Sequence, residues 1–172
     1  MNKTDNKTVL IIDDEPNVQI YLKTILEDHG FNTVLAGNGK QALDQIKKKK
    51  PDVISLDLVM PKMTGLKFFR YVKGNKIVDG VPFVVVTAHS KDEMGQKDIQ
   101  ELQKEALKSV IYFLEKPVNP LEYANTIREA LGLAKPKPHK KSDECEDLKN
   151  KIKNKILDAN KEKLLKVLKA LG

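Results

Sequence analysis

Three adjacent acidic side chains follow the first apolar run of the sequence. Asp13, Asp14 and Glu15 come directly after residues 9–12, although adjacent carboxylates repel one another and are costly to remove from water. A solvated turn would make them tolerable, as would a helix that begins at Pro16 and is capped by Asp14. The chemical alternative is a bound cation, because carboxylate oxygens with room for water suit Mg²⁺.

Three further polar residues each end a later apolar run: Asp57, Thr87 and Lys116. An aspartate beside a bound metal can act as a nucleophile towards phosphorus and form an aspartyl phosphate. Phosphoryl transfer needs in-line positioning and neutralised phosphoryl oxygens, which an ammonium and a hydroxyl group help to supply. Taken singly, these residues are also explained as a strand-end carboxylate, a strand threonine and a surface lysine. Together and in this order, they favour phosphoryl chemistry.

Apolar runs and helical patterns alternate five times along the chain. The runs lie at residues 9–12, 31–36, 53–56, 81–86 and 110–114, and they are typical of strands that helices bury on both faces. Right-handed crossovers would fold such a chain into a parallel sheet with helices on both sides. Ligands of such sheets bind beyond the carboxyl ends of the strands, so the polar residues above are predicted to meet at one edge.

Helix starts are indicated by capping residues between the runs. Asn38, Thr64 and Asn119 each precede a helical pattern, and residues 90–93 form a capping box. After Asn119, a proline at the first helical position is followed by a predicted apolar stripe, and Gly132 is expected to end the helix. The stripe consists of Leu121, Ala124, Ile127 and Leu131.

Composition favours one ordinary domain with a small appendage. The chain has 172 residues, of which 40% are hydrophobic and 32% charged, as in globular proteins. The polar N-terminus resembles no signal peptide and no run is long enough to span a bilayer, so we expect a cytoplasmic protein. The single Cys145 cannot form an internal disulfide, which agrees with that location.

The positive charge is concentrated at the C-terminal end. The chain carries +7, and residues 135–172 hold twelve lysines against six acidic residues, a net +6. We predict a flexible N-terminus at 1–6, a domain at 7–134, a linker at 135–142 and a basic helical extension at 143–172, as one broken helix or two short ones. The apolar stripes of the extension favour packing on a protein surface, with nucleic-acid binding second and membrane-surface binding third.

Four segments together resemble the receiver domain of two-component response regulators. They are LIIDDEP at 10–16, DVISLDLVMPKMTG at 52–65, VVVTA at 84–88 and FLEKPVNP at 113–120, and the resemblance covers residues 7 to about 132. It implies a flavodoxin-like, doubly wound five-stranded parallel sheet of order 2-1-3-4-5. It also implies that Asp57 accepts a phosphoryl group from a sensor histidine kinase or a phosphotransfer protein.

The resemblance further implies a ligand set for the cation. Asp14, Asp57 and the main-chain carbonyl of Val59 would hold Mg²⁺ directly, and Asp13 would act mostly through water. Lys116 would contact the phosphoryl group, and the peptide bond between it and the following proline would be cis.

A conformational switch at Thr87 and Phe113 is implied in the same way. Phosphate on Asp57 would draw the Thr87 hydroxyl inward and leave space for the ring of Phe113 to turn. Phe113 stands where the family often has tyrosine, which favours a weaker or inward-biased switch. The 29 positions from Thr87 to Lys116 exceed the family spacing by roughly seven residues, so we predict a lengthened helix or loop there.

Three classes of function remain distinguishable. The favoured one is a phosphorylation-dependent signalling protein that acts through a downstream protein partner or a homodimer and has no catalytic output. The alternative is a transcriptional regulator whose basic C-terminal helices bind DNA. A haloacid-dehalogenase-like phosphatase ranks far below, because it needs a second acid two residues after its nucleophile and Val59 occupies that position.

Overall fold

The chain divides into two units, Met1–Lys135 and Pro136–Gly172. A computed structural model describes residues 6–60, 64–88, 100–102, 104 and 111–133, all of which belong to the first unit. The predicted linker and basic extension lie outside the described residues, and the domain boundaries given above stay predictions.

Five parallel strands form one sheet in the order β2-β1-β3-β4-β5, as predicted. The strands are β1 (Thr8–Ile12), β2 (Asn32–Ala36), β3 (Val53–Leu56), β4 (Phe83–Thr87) and β5 (Ile111–Glu115). Each lies within two residues of the predicted run. Their carboxyl ends therefore share one edge of the sheet, which is the edge that binds ligands in folds of this kind.

Four helices are described along their length: α1 (Pro16–Asp28), α2 (Gly39–Lys48), α3 (Gly65–Gly74) and α4 (Pro120–Ala130). Residues 100–102 and 104 are also helical, and the rest of the helix predicted after residues 90–93 lies outside the described residues. No described helix is both long enough and apolar enough to cross a membrane.

The predicted caps of three helices are confirmed. The side chains of Asn38, Thr64 and Asn119 accept hydrogen bonds from main-chain N–H groups in the first turns of α2, α3 and α4, respectively. These bonds satisfy amide donors that have no partner inside the helix. Gly132 follows α4 with φ +64, a left-handed conformation that glycine adopts without steric cost.

Two sequence expectations about helices are wrong. Glu15, not Asp14, is the N-cap of α1, because the helix begins at Pro16 and Asp14 lies one position too early in the chain. The side chain of Glu15 makes no capping hydrogen bond. Leu121 is 57% exposed. The rest of the predicted stripe is confirmed, because Ala124 and Ile127 are buried and Leu131 packs against the same half of the core. Tyr123 takes the buried place that the prediction gave to Leu121.

The core has two halves, one on each face of the sheet. Alternate residues of β1 point to opposite faces, so Leu10 lies in the half covered by α2 and α3, and Ile11 in the half covered by α1 and α4. β1, β3 and β4 are buried throughout. β2 and β5 are mostly half-buried, contrary to the prediction of burial on both faces, because they lie at the edges of the sheet.

Candidate functional site

Main-chain hydrogen bonds hold the polar residues at the carboxyl edge in line with the sheet. The N–H of Asp13 donates to Ala36 O at 3.1 Å, that of Asp57 to Ile12 O at 2.9 Å, and that of Lys116 to Thr87 O at 3.0 Å. Each bond continues a parallel ladder one residue beyond a strand. These hydrogen bonds thus fix the Cα positions of Asp13, Asp57 and Lys116.

The ammonium group of Lys116 joins two buried carboxylates. Its Nζ donates to Asp57 Oδ2 at 2.7 Å and lies 2.8 Å from Asp13 Oδ2 and 3.7 Å from Glu15 Oε1. The contact with Asp13 has the distance of an ion pair, but its geometry leaves Oδ2 without an aligned hydrogen bond. Asp13 is 1% exposed and Asp57 5%, so the lysine offsets negative charge that water cannot reach.

Three carboxylates converge at this edge. One oxygen each from Asp13, Asp14 and Asp57 lies within 4.8 Å of the others. Main-chain amides orient the two buried acids, because Glu15 N–H donates to Asp13 Oδ1 at 2.9 Å and Val59 N–H to Asp57 Oδ1 at 3.1 Å. Hard oxygen donors grouped so closely suit a small divalent cation such as Mg²⁺.

The pKa values at the edge reflect burial and pairing. Burial raises the pKa of Asp57 above 3.8, and the hydrogen bond and charge of Lys116 reverse only part of that effect. Burial by itself would lower the pKa of Lys116, but its close polar contacts and charge interactions with Asp13 and Asp57 outweigh burial and raise the pKa above 10.5. The lysine therefore stays charged at neutral pH.

The two predicted switch residues lie on neighbouring strands. Thr87 ends β4 and is 2% exposed. Phe113 pairs in register with Val85, so the side chains of Thr87 and Phe113 share one face of the sheet. The ring of Phe113 is half-buried and packs against the half of the core covered by α2 and α3. The peptide bond between Lys116 and Pro117 is cis, as predicted.

Sequence reasoning missed the role of Gly65. This residue begins α3, and its N–H donates to Leu58 O at 2.9 Å. A Cβ on Gly65 would collide with the carbonyl oxygen of Asp57 and come within 2.8 Å of Leu58 Cα. Gly65 ends the motif DVISLDLVMPKMTG. The reason why this position requires glycine becomes visible only in the packing of α3 against the residues after β3.

The strand order and the polar edge define a class of protein: a flavodoxin-like α/β protein with carboxylates and a lysine at the carboxyl ends of its strands. The family model described as "Response regulator receiver domain" matches residues 9–128. The chain belongs to this family of signalling domains.

Curated relatives support the same family. The chain is 30% identical to sporulation initiation phosphotransferase F of Bacillus subtilis over 128 residues, 74% of this chain and 96% of that protein. It is 35% identical to the DNA-binding response regulator MtrA of Mycolicibacterium smegmatis over 85 residues, 49% of this chain and 36% of that protein. The alkaline phosphatase synthesis transcriptional regulatory protein PhoP of Bacillus subtilis matches at 30% identity, over 82% of this chain and 56% of that protein. The chain thus spans only about a third to just over half of the latter two.

Solved structures agree with the fold. Chemotaxis protein CheY4 of Vibrio cholerae superposes with a TM-score of 0.62 at 26% identity, covering 73% of this chain and 98% of that one. A receiver domain from Methanospirillum hungatei gives a TM-score of 0.61 at 30% identity, covering 73% and 94%. Receiver domains are signalling domains of two-component systems rather than classical enzymes, and they bind Mg²⁺ at an acidic cluster.

Proposed function

We propose that this chain is a response regulator that accepts a phosphoryl group on Asp57 and signals through contacts with other proteins. The observation that carries the proposal is the contact of Lys116 Nζ with Asp57 Oδ2 at 2.7 Å, within a group of three carboxylates. This edge offers an acceptor oxygen, an ammonium group and a cation site within a few ångströms. Those are the groups that phosphoryl transfer requires.

The acidic cluster fits a magnesium ion. Asp14, Asp57 and the main-chain carbonyl of Val59 would hold Mg²⁺ directly, with Asp13 mostly through water. Asp13 Oδ2 is buried without an aligned hydrogen bond, which leaves it able to accept one from a metal-bound water. When bound, the ion neutralises negative charge on the phosphoryl oxygens.

In the transfer, a carboxylate oxygen of Asp57 forms a bond to phosphorus while the bond from phosphorus to a histidine nitrogen of the donor breaks. The nitrogen keeps the electron pair, and no net oxidation or reduction occurs. Lys116 moves its hydrogen bond from the Asp57 carboxylate to a phosphoryl oxygen, and the Thr87 hydroxyl donates to another. That movement of Thr87 would let Phe113 turn inward and repack the surface around β5.

A groove beside Lys116 is the surface we propose for the phosphodonor protein. It has a volume of about 360 Å³ and is mostly apolar, with Val18, Tyr21, Val86, Ala88, Pro117 and Val118 among its lining residues. Ile20 and Tyr21 of α1 are 58% and 45% exposed. A donor helix seated on this surface would bring its phosphohistidine next to Asp57, because Lys116 borders both the groove and the acceptor.

Labelling with acetyl phosphate and Mg²⁺ tests the acceptor. Intact-mass spectrometry of the wild-type chain should show one added phosphoryl group, which disappears in Asp57→Asn and when Mg²⁺ is chelated. Asp44→Asn is the matched control, since Asp44 is exposed on α2. Labelling that persists in Asp57→Asn would refute the proposal.

A second experiment tests the groove. Tyr21→Lys should slow transfer from a phosphohistidine donor protein and leave labelling by acetyl phosphate unchanged, because Tyr21 lines the groove and only the protein donor needs the groove. Tyr71→Lys changes a similarly exposed apolar residue on α3 and should affect neither reaction. Equal transfer to all three proteins would exclude the groove as the donor surface.

The DNA-binding alternative is not needed to explain this function. It concerns residues 135–172, which lie outside the described residues, and the matches to MtrA and PhoP cover only part of those regulators. Retention on DNA that does not change with salt would leave the lysines of the extension without that role. Cytoplasmic location and the possibility of a homodimer stay predictions.

A further inference from the structure

A buried hydrogen bond joins α4 to the strand that carries Asp57. The hydroxyl group of Tyr123 donates to Ser55 Oγ at 2.9 Å. Tyr123 is 0% exposed and Ser55 2%, so water reaches neither group. The helix α4 packs mainly on α1, β4 and β5, and the Tyr123 side chain additionally joins it to the central strand β3.

This hydroxyl pair lies directly beneath the acidic cluster. Ser55 precedes Asp57 by two residues, so both side chains point to the same face of β3, roughly 7 Å apart along the strand. Ser55 pairs in register with Ile11, and Asp13 follows Ile11 by two residues on the same face of β1. Burial raises the pKa of Tyr123, and the charge of Asp13 raises it further, which agrees with this proximity.

Polar side chains are concentrated at this place in an otherwise apolar core. Among the described residues, the buried polar or charged side chains other than Tyr123 are Thr8, Asp13, Ser55, Asp57 and Thr87. Thr8 lies at the opposite edge of the sheet. Burying two hydroxyl groups is costly unless they bond to each other, and an apolar pair would fill the same space without that requirement. The pair is therefore poorly explained by stability alone.

We propose that Tyr123 and Ser55 are positioning residues for phosphorylation of Asp57, an inference that rests on the proposed function. Their hydrogen bond fixes β3 against α4 just below the acceptor. It thereby sets the position of the Asp57 carboxylate relative to Asp13 and Lys116. Neither hydroxyl contacts the phosphoryl group.

A double-mutant cycle separates positioning from stability. Tyr123→Phe and Ser55→Ala each leave one buried hydroxyl without its partner, so each should lower the melting temperature, whereas the double variant removes both hydroxyls and should recover part of the loss. The initial rate of acetyl phosphate labelling should fall about tenfold in each single variant and stay low in the double variant. Mg²⁺ titrations of the rate show whether ion binding changes as well.

Thr126→Ala removes a hydroxyl of α4 that bonds only within its own helix, to Glu122 O, and should label at the wild-type rate. Wild-type rates in all variants of the pair, or a rate that recovers together with stability in the double variant, would overturn the inference while labelling at Asp57 stands. Absence of labelling in the wild-type chain would overturn the proposed function and this inference together.

Discussion

Gly65 stands against the main chain of Asp57 so closely that a Cβ on Gly65 would overlap the carbonyl oxygen of Asp57. The first residue of α3 and the proposed phosphoacceptor are therefore positioned together. A main-chain hydrogen bond from Gly65 N–H to Leu58 O also joins the start of α3 to the residue that follows Asp57. Substitutions at the start of α3 should therefore change the position of Asp57.

Gly65→Ala should destabilise the protein by about 1–3 kcal/mol and slow labelling of Asp57, because the added methyl group must displace the residues after β3. Gly74→Ala is the matched control at the other end of α3. Nothing lies within 4 Å of a Cβ at Gly74, so this variant should be neutral or slightly more stable. Thermal unfolding and labelling rates check both, and equal behaviour of the two variants would contradict the prediction.

Lys116→Met should slow labelling by roughly 100-fold, because it removes an ammonium group from the position that the phosphoryl oxygens would occupy. Lys67→Met, at an exposed position of α3, should label at the wild-type rate. The measurement is the initial rate with acetyl phosphate at saturating Mg²⁺. A rate within twofold of wild type in Lys116→Met would show that the lysine has no part in the transfer.

The carboxyl group of Asp57 should titrate above 3.8 when Mg²⁺ is chelated, since burial raises its pKa. A group whose pKa is higher in the folded than in the unfolded protein favours folding below the unfolded pKa, and this contribution is lost as pH rises through the folded pKa. Lys116→Met should raise the pKa of Asp57 further, because the lysine lowers it. Carbon-13 NMR of the carboxyl groups measures both shifts, and a downward shift in the variant would contradict the assignment.

Asp52→Asn should cost about 1 kcal/mol of stability at pH 7. The Asp52 carboxylate accepts from Lys7 Nζ and Thr8 N–H, each at 2.8 Å. Burial alone would raise its pKa, but these bonds outweigh burial and lower it below 3.8. The stabilisation is therefore present above pH 3.8 and is lost as pH falls through the lowered pKa.

Urea unfolding at several pH values checks this expectation for Asp52→Asn. The difference from wild type should shrink in acid. Asp44→Asn breaks only an exposed contact with Lys47 at 3.8 Å and should show little difference at any pH. A cost for Asp52→Asn that does not depend on pH would mean that the charge is unimportant.

The fold was largely predictable because its signals are local. Strand positions follow from apolar runs, and the caps at Asn38, Thr64 and Asn119 follow from residue type. The strand order came from resemblance to the receiver family rather than from periodicity. The exposure of Leu121 was not predictable from spacing alone, because the buried face of a helix is decided by what it packs against.

The candidate site was predictable to the extent that strand ends determine it. Asp13, Asp57 and Lys116 meet because parallel strands bring their carboxyl ends together. The contact between Tyr123 and Ser55 joins residues 68 positions apart, and no local pattern pairs them. The chemical roles of all the predicted site residues stay predictions, and the labelling experiments above test those of Asp57 and Lys116. The other residues concerned are Asp13, Asp14, Val59, Thr87 and Phe113.

The hydrogen-bonded group of Lys7, Thr8 and Asp52 lies at the amino ends of the strands, opposite the acidic cluster. Roughly 15 Å of β1 separates the two, a distance at which substitutions usually contribute independently. Engineers and natural selection can therefore adjust the thermodynamic stability of this receiver at the amino ends of its strands without altering the chemistry at their carboxyl ends.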